Sequence, residues 1–306
     1  MIAKTAGNVE RAHQPLYFYN SARDGFLDIL NQYNQQQCVT LLLPGYIGFS
    51  PNEGSGIYDP VIKSGINHVF YPVDRSLNVC VDRFEQLLGE VEGRAIVLLV
   101  HYFGYPDQNI DRLAQLCRSK NAVIIEDSAH ALYTDYVDHS CGQYADYCLY
   151  SLHKMLPYHK GGMLKVRTKE QGITLSGLKE HDYAPFDYDF YQIARHRKKN
   201  AKLWNELLKD QQQYVQVLRP YTDSVTPQTF PIIVKDFDRN QLYFKLNEAG
   251  FGAVSLYHTM IEPVRNGDFA DAVWLSGHII NMPVHQDADD GQIVKMAEKL
   301  IEIVKG

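Results

Sequence analysis

Five short, almost wholly apolar runs punctuate the first half of the chain: Val39–Leu43, His68–Tyr71, Ile96–Val100, Val123–Glu126 and Tyr147–Ser151. Between several of them, Asp24–Tyr33, Val81–Leu88 and Ile110–Ser119 carry apolar residues at helical spacing. A continuous apolar run, unlike an alternating one, predicts a strand buried on both faces. Strand–helix alternation of this kind predicts an α/β fold with a mostly parallel central sheet covered by helices on both sides. Such sheets gather their functional side chains at the carboxyl ends of the strands. His101, Asp127 and the tetrapeptide Ser151-Leu152-His153-Lys154 all fall there.

The second half reads differently. The polar, tyrosine-rich stretch Glu180–Phe190 predicts an ordered loop, and a basic helix follows over Gln192–Lys209. Phe230–Val234 reads as a strand, Arg239–Ala249 as a helix stopped by Gly250, and Asp290–Val304 as a terminal helix capped by Asp289 or Asp290. These features divide the chain into a large domain, 1–214, and a small α+β domain, 215–306.

Several function classes are disfavoured. A net charge of −6 gives no general attraction to nucleic acid or to an anionic membrane, and Arg195–Lys199 reads as a solvated helix face. No apolar run is long enough to span a membrane. Met1–Arg11 lack the apolar core of a signal peptide, so a cytoplasmic location is expected. The five cysteines are odd in number and show no C-x-x-C pair, which predicts reduced thiols. His13, His101, His139, Asp135 and Asp138 show no metal-ligand spacing, so no metal is expected.

Lys154 and Asp127 carry the chemistry. Lys154 follows a strand and precedes the pair Gly161-Gly162; Asp127 ends the preceding strand. Read singly, Lys154 is a surface cation and Asp127 a helix cap. Together they form the pair that pyridoxal 5′-phosphate (PLP) needs. The lysine forms a Schiff base with the aldehyde, and the aspartate keeps the pyridinium nitrogen protonated so that the ring acts as an electron sink. A buried lysine would be kept as its free amine by desolvation. Small Ser128 and Ala129 leave room for a flat ring, and His130 can donate to its phenolic oxygen.

Other residues fit the remainder of that cofactor. Asn20-Ser21-Ala22-Arg23 opens the first helix, and a helix N-terminus is suited to a phosphate. Ser21 adds a hydroxyl and Arg23 a charge; Ser151 and His153 are further phosphate candidates. In Pro44-Gly45-Tyr46-Ile47-Gly48-Phe49 an aromatic can stack on the ring opposite Ala129, with Phe49 preferred over Tyr46. His101 reads as a packing residue.

These segments resemble the DegT/DnrJ/StrS aminotransferases, PLP enzymes of fold type I that act mainly on nucleotide-linked keto-sugars. The likeness lies in Glu126-Asp127-Ser128-Ala129-His130-Ala131, in Ser151–Lys154 with Gly161-Gly162, in His101–Pro106, and in Ile280-Asn281-Met282-Pro283-Val284-His285. It implies a three-layer α/β/α fold, Lys154 as Schiff-base lysine, Asp127 as ring-nitrogen partner, and phosphate contacts from Ser21-Ala22-Arg23 and Ser151. It also implies His258 as a substrate-pocket residue and a homodimer with its active site at the interface. Three features set the chain apart. His130 stands where most members carry Gln, and Ser151 lies three residues before the lysine where many have five. The segment between Lys165 and Arg195 is short, without the family's Asn-x-Arg stretch.

The leading expectation is an aminotransferase that moves an amino group from an amino acid, glutamate first among donors, to a nucleotide-linked keto-sugar in amino-sugar or polysaccharide biosynthesis. The alternatives are a class V-like PLP enzyme, such as a cysteine desulfurase or a small-molecule transaminase, and a non-enzymatic regulator on the same fold. Ser-x-His-Lys favours the class V reading; the lack of a reactive-cysteine loop opposes it.

Overall fold

A computed structural model describes residues 14–306 apart from 37, 53, 169 and 179–182. The order is β1 (Leu16–Tyr19), α1 (Ala22–Asn34), β2 (Val39–Pro44), α2 (Tyr58–Ser64), β3 (Asn67–Tyr71), α3 (Val81–Glu90), β4 (Arg94–Val100), α4 (Ile110–Ser119) and β5 (Val123–Asp127). Then come α5 (Leu132–Tyr136), β6 (Tyr147–Ser151), α6 (Leu152–Met155), β7 (Gly162–Val166), α7 (Phe190–Leu208), β8 (Val215–Val217) and β9 (Thr229–Val234). The chain closes with α8 (Arg239–Glu248), α9 (Glu262–Arg265), α10 (Ala270–His278), β10 (Ile279–Pro283) and α11 (Asp290–Lys305).

The main sheet has seven strands in the order β1-β7-β6-β5-β4-β2-β3. Its centre is parallel, as the apolar runs predict, and every residue of β2 is buried, so both faces are covered. The α1 helix buries Phe26, Ile29, Leu30 and Tyr33 against this core. β7 departs from the parallel pattern and runs antiparallel to both β6 and β1. The link from β6 is a single helical turn, too short for the crossover that a parallel return needs.

Gly161 and Gly162 explain how that return is made. Gly161 stands at φ +135, a backbone region almost confined to glycine, and its N–H donates to Asn20 O. A Cβ on Gly162 would lie 2.2 Å from the Ser21 carbonyl carbon. The glycine pair therefore lets β7 press against the start of α1, bringing the Lys154 segment and Ser21-Ala22-Arg23 together.

The second sheet is antiparallel, in the order β10-β9-β8. It shares a core with α8, α11 and the C-terminal half of α7, whose Ala201, Trp204 and Leu208 are buried in it. Asp289 caps α11 by accepting the N–H groups of Gly291 and Gln292. The basic run in α7 is only in part the solvated face that its composition predicts. Arg197 is 1% exposed, lies over the Tyr133 ring and donates to Pro227 O and Gln228 O. Lys198 pairs with Asp138, and Lys199 with Asp290. Arg197 and Lys198 thus turn inward, while Arg195 and the Lys199–Asp290 pair stay at the surface. Of the 180–190 loop, 183–190 are described and contain a short 3-10 turn at Pro185–Asp187. His13 lies outside the described residues.

Candidate active site

The carboxyl ends of β4, β5 and β6 open into a cavity of about 440 Å³, a volume in the range of small-molecule sites. Every site residue expected from the sequence lines it: Ser21, Ala22, Arg23, Phe49, Asp127, His130, Ser151, His153, Lys154 and His258. Ala129 and His101 line it too, whereas Tyr46 does not and is fully buried beneath. Strand register accounts for the convergence, because Asp127 pairs with Val100 on one side and Leu149 on the other.

Asp127 is half-buried, and its Oδ1 accepts the Ala129 N–H at 2.9 Å. Desolvation raises its pKa, opposed by that N–H and by the charges of Lys154 and His101. Lys154 is exposed rather than buried: it sits on α6, the four-residue turn that follows β6 directly, and lines the cavity. The desolvation expected from the sequence is therefore not what conditions its amine. Its Nζ instead lies 3.1 Å from His130 Nε2. His130 is 4% exposed; burial and the Lys154 charge hold its pKa well below the ordinary value.

Ser21 caps α1, with its hydroxyl bonded to Asp24 through both the carboxylate and the backbone N–H. The first N–H groups of such a helix have no intrahelical acceptor and face outward with the positive end of the dipole. Arg23 lies beside them, 3.8 Å from Asp59. Ser151 Oγ lies 3.2 Å from His153 Nδ1. His258 Nδ1 donates to Ser255 O, which leaves Nε2 as acceptor in the neutral ring; burial and Arg239 lower its pKa.

Sequence reasoning missed three neighbours. Tyr257 lines the cavity at φ +58, stacks on Tyr46 and meets the His130 ring edge-on. The segment 54–57 forms another wall. Glu126 is fully buried beside His101, the two joined at 2.6 Å. Only Glu126 had a signal, as a carboxylate within an apolar strand. No cysteine lines the cavity, and among the described residues no cluster of His, Cys, Asp or Glu can hold a metal ion. Nor is any described helix long and apolar enough to cross a membrane.

Three comparisons extend these observations. The DegT/DnrJ/EryC1/StrS aminotransferase family model matches residues 56–192, which include Asp127, His130 and Lys154. A dTDP-4-dehydro-2,3,6-trideoxy-D-glucose 4-aminotransferase from Saccharopolyspora spinosa is 34% identical over 106 residues, 34% of this chain and 27% of the relative. The matched stretch thus spans little more than a quarter of that relative's length. A DegT DnrJ EryC1 StrS aminotransferase from Brucella abortus superposes with a TM-score of 0.75 at 18% identity, covering 95% of this chain and 86% of the other. NtdA from Bacillus subtilis, solved with bound cofactor PMP, gives 0.74 at 17% identity, covering 96% and 74%. At those identities the likeness is one of fold, the α/β architecture of the type I PLP aminotransferases. The matched segment, a little under half of the chain, supplies the strand-end aspartate and lysine, and is similar to the DegT/DnrJ/EryC1/StrS aminotransferase family.

Proposed function

We propose that this protein is a PLP-dependent aminotransferase that moves an amino group from an amino acid, glutamate in the first instance, to a nucleotide-linked keto-sugar. The reading rests on one observation: Lys154, Asp127, His130 and the N-terminus of a 13-residue helix line a single cavity. The Saccharopolyspora relative, which acts on a dTDP-linked keto-sugar, supports the substrate class.

The residues present fit the cofactor. The start of α1, with Ser21 and Arg23, holds the phosphate; Ser151 and His153 complete that wall. Asp127 offers a half-buried carboxylate to the ring nitrogen. His130 Nε2 offers a donor to the phenolic oxygen, and Phe49 covers one ring face. When bound, PLP supplies an electron sink that stabilises negative charge on the carbon losing its proton. Lys154 Nζ would hold the cofactor's aldehyde carbon and, once displaced by substrate, would take the proton from the substrate carbon as general base and return it as general acid. His258 contacts the substrate from the C-terminal side of the cavity. In this reading 1–214 form the cofactor-binding domain, 215–306 a smaller one, and a homodimer completes the site.

The test is incubation with PLP, glutamate and a panel of UDP-, GDP- and dTDP-linked keto-sugars, with mass detection of an amino-sugar product. Transfer to free keto acids alone would remove the nucleotide-sugar assignment and leave the aminotransferase. Absence of any visible absorption band after addition of PLP would remove both.

A further inference from the structure

His130 is held on three sides. The Phe103 ring lies nearly parallel to it, at 19° and 6.2 Å between centroids, and Tyr257 meets it edge-on. The third contact is polar: the Phe103 backbone N–H donates to His130 Nδ1 at 3.3 Å. That bond depends on an unusual backbone. Phe103 stands at φ 58, ψ 14, a left-handed conformation that a bulky residue seldom adopts. Its surroundings enforce it. Phe103 O accepts from Gln228 N, Gly104 N donates to His101 O, and Thr134 Oγ1 donates to Gly104 O.

A backbone N–H can only donate, so Nδ1 must accept, and the single proton of a neutral imidazole then sits on Nε2. Nε2 faces Lys154 Nζ at 3.1 Å. An N–H facing an ammonium is two donors in opposition; facing an amine, it is a hydrogen bond. We infer that the strained Phe103 turn is a positioning device that locks His130 as the Nε2–H tautomer, so that His130 donates to Lys154 and holds it as the neutral amine.

The other charged and titratable groups on the cavity wall act in both directions. Asp127 on β5 favours the ammonium; Arg23 on α1 and the His101 imidazolium after β4 oppose a further positive charge. The orienting hydrogen bond adds to the latter set. Its use is kinetic, because only the amine attacks an aldehyde carbon. The inference rests on Lys154 being the cofactor-binding lysine, yet the protonation states are measurable in the full-length protein without cofactor.

The first experiment is a long-range 1H–15N spectrum of the cofactor-free protein, with His130 assigned by its loss in His130→Gln. The expected result is a neutral Nε2–H ring at and below the ordinary histidine value of about 6.5, with no titration there. A proton on Nδ1, or titration near the ordinary histidine value of about 6.5, overturns the inference. The second is competitive acetylation of Lys154 by acetic anhydride, followed by peptide mass across pH. His130→Leu is expected to slow labelling about tenfold near pH 7, one unit of pKa, whereas His130→Gln retains a donor and labels as wild type does. Unchanged labelling in His130→Leu overturns the claim on Lys154. If these results hold but no keto-sugar is aminated, only the functional reading falls; if amination occurs without the tautomer, only this inference falls.

Discussion

Two buried histidines share the cavity wall and are tuned in opposite directions. His101 follows β4 and His130 follows β5; their exposures are 1% and 4%. Desolvation pulls both pKa values down. At His101 that pull is overcome. The Cys141 thiol and Glu126 raise it well above its ordinary value, and because burial also raises the Cys141 pKa, the opposing charge at neutral pH is that of Glu126. Glu126 is itself burdened by desolvation but is held ionised by His101 and by the N–H groups of Gly142 and Tyr144. At His130 nothing opposes desolvation, and a proton on Lys154 would only add to it. Burial is common to the two corners; the partner, a carboxylate or an N–H, sets the charge. The result places a cation near Asp127 and a neutral donor near Lys154.

The largest expected effect comes from removing what the neutral corner serves. Lys154→Ala should lower turnover by about 10⁴-fold, the upper range for a positioned acid–base group, and abolish the visible band formed with PLP. Retention of turnover within tenfold would separate the His130 corner from the chemistry. Next is the charged corner. Glu126→Gln breaks the buried ion pair, and His101 must then give up its proton or stay uncompensated, at a cost of up to about 3–5 kcal/mol, read as a shift in the urea unfolding midpoint. A loss under about 1 kcal/mol would mean that His101 is neutral and that the two corners do not differ.

How far these corners are legible in the sequence depends on the range of the forces that make them. The apolar runs fix β2 to β6, and strand-end placement follows, so Asp127 and Lys154 are found from spacing alone. β7 is not, because its direction depends on the short link and on the fit of Gly162 against Ser21, a contact between distant segments. The burial of Arg197 and the exposure of Lys154 are likewise tertiary, set by Tyr133 and 227–228 in one case and by the open cavity in the other. Phe103 carries no local sign of φ 58, since aromatic residues rarely adopt it. Glu126 is visible as an oddity in Val-Ile-Ile-Glu, but its partners come from 101 and from 142–144.

The frame that positions Lys154 can be disturbed without touching either histidine. Gly162→Ala places a methyl 2.2 Å from the Ser21 carbonyl carbon and 2.3 Å from Ala22 N. Relief requires the start of α1 to move, at an overpacking cost of about 1–3 kcal/mol. PLP affinity, measured by titrating the visible band, should fall about ten- to a hundredfold. Unchanged affinity would show that the start of α1 does not hold the phosphate.

The smallest effect is the most direct reading of the two corners. The native pKa of His130 lies below its unfolded value of 6.5, so between the two the unfolded chain binds the extra proton. Its contribution to stability is therefore complete above about pH 6.5 and is lost as pH falls. The native pKa of His101 lies above 6.5, so its contribution is complete below that value and is lost as pH rises through the native pKa. Each limb can slope by at most about 1.4 kcal/mol per pH unit for one proton. His130→Gln should flatten the acid limb just below about pH 6.5 and leave the alkaline limb unchanged. Glu126→Gln should flatten the alkaline limb, since without the carboxylate His101 has no reason to hold its proton. Urea midpoints across pH measure both, and equal slopes in wild type and His130→Gln would mean that His130 titrates alike folded and unfolded, which its buried contact with the Phe103 N–H forbids.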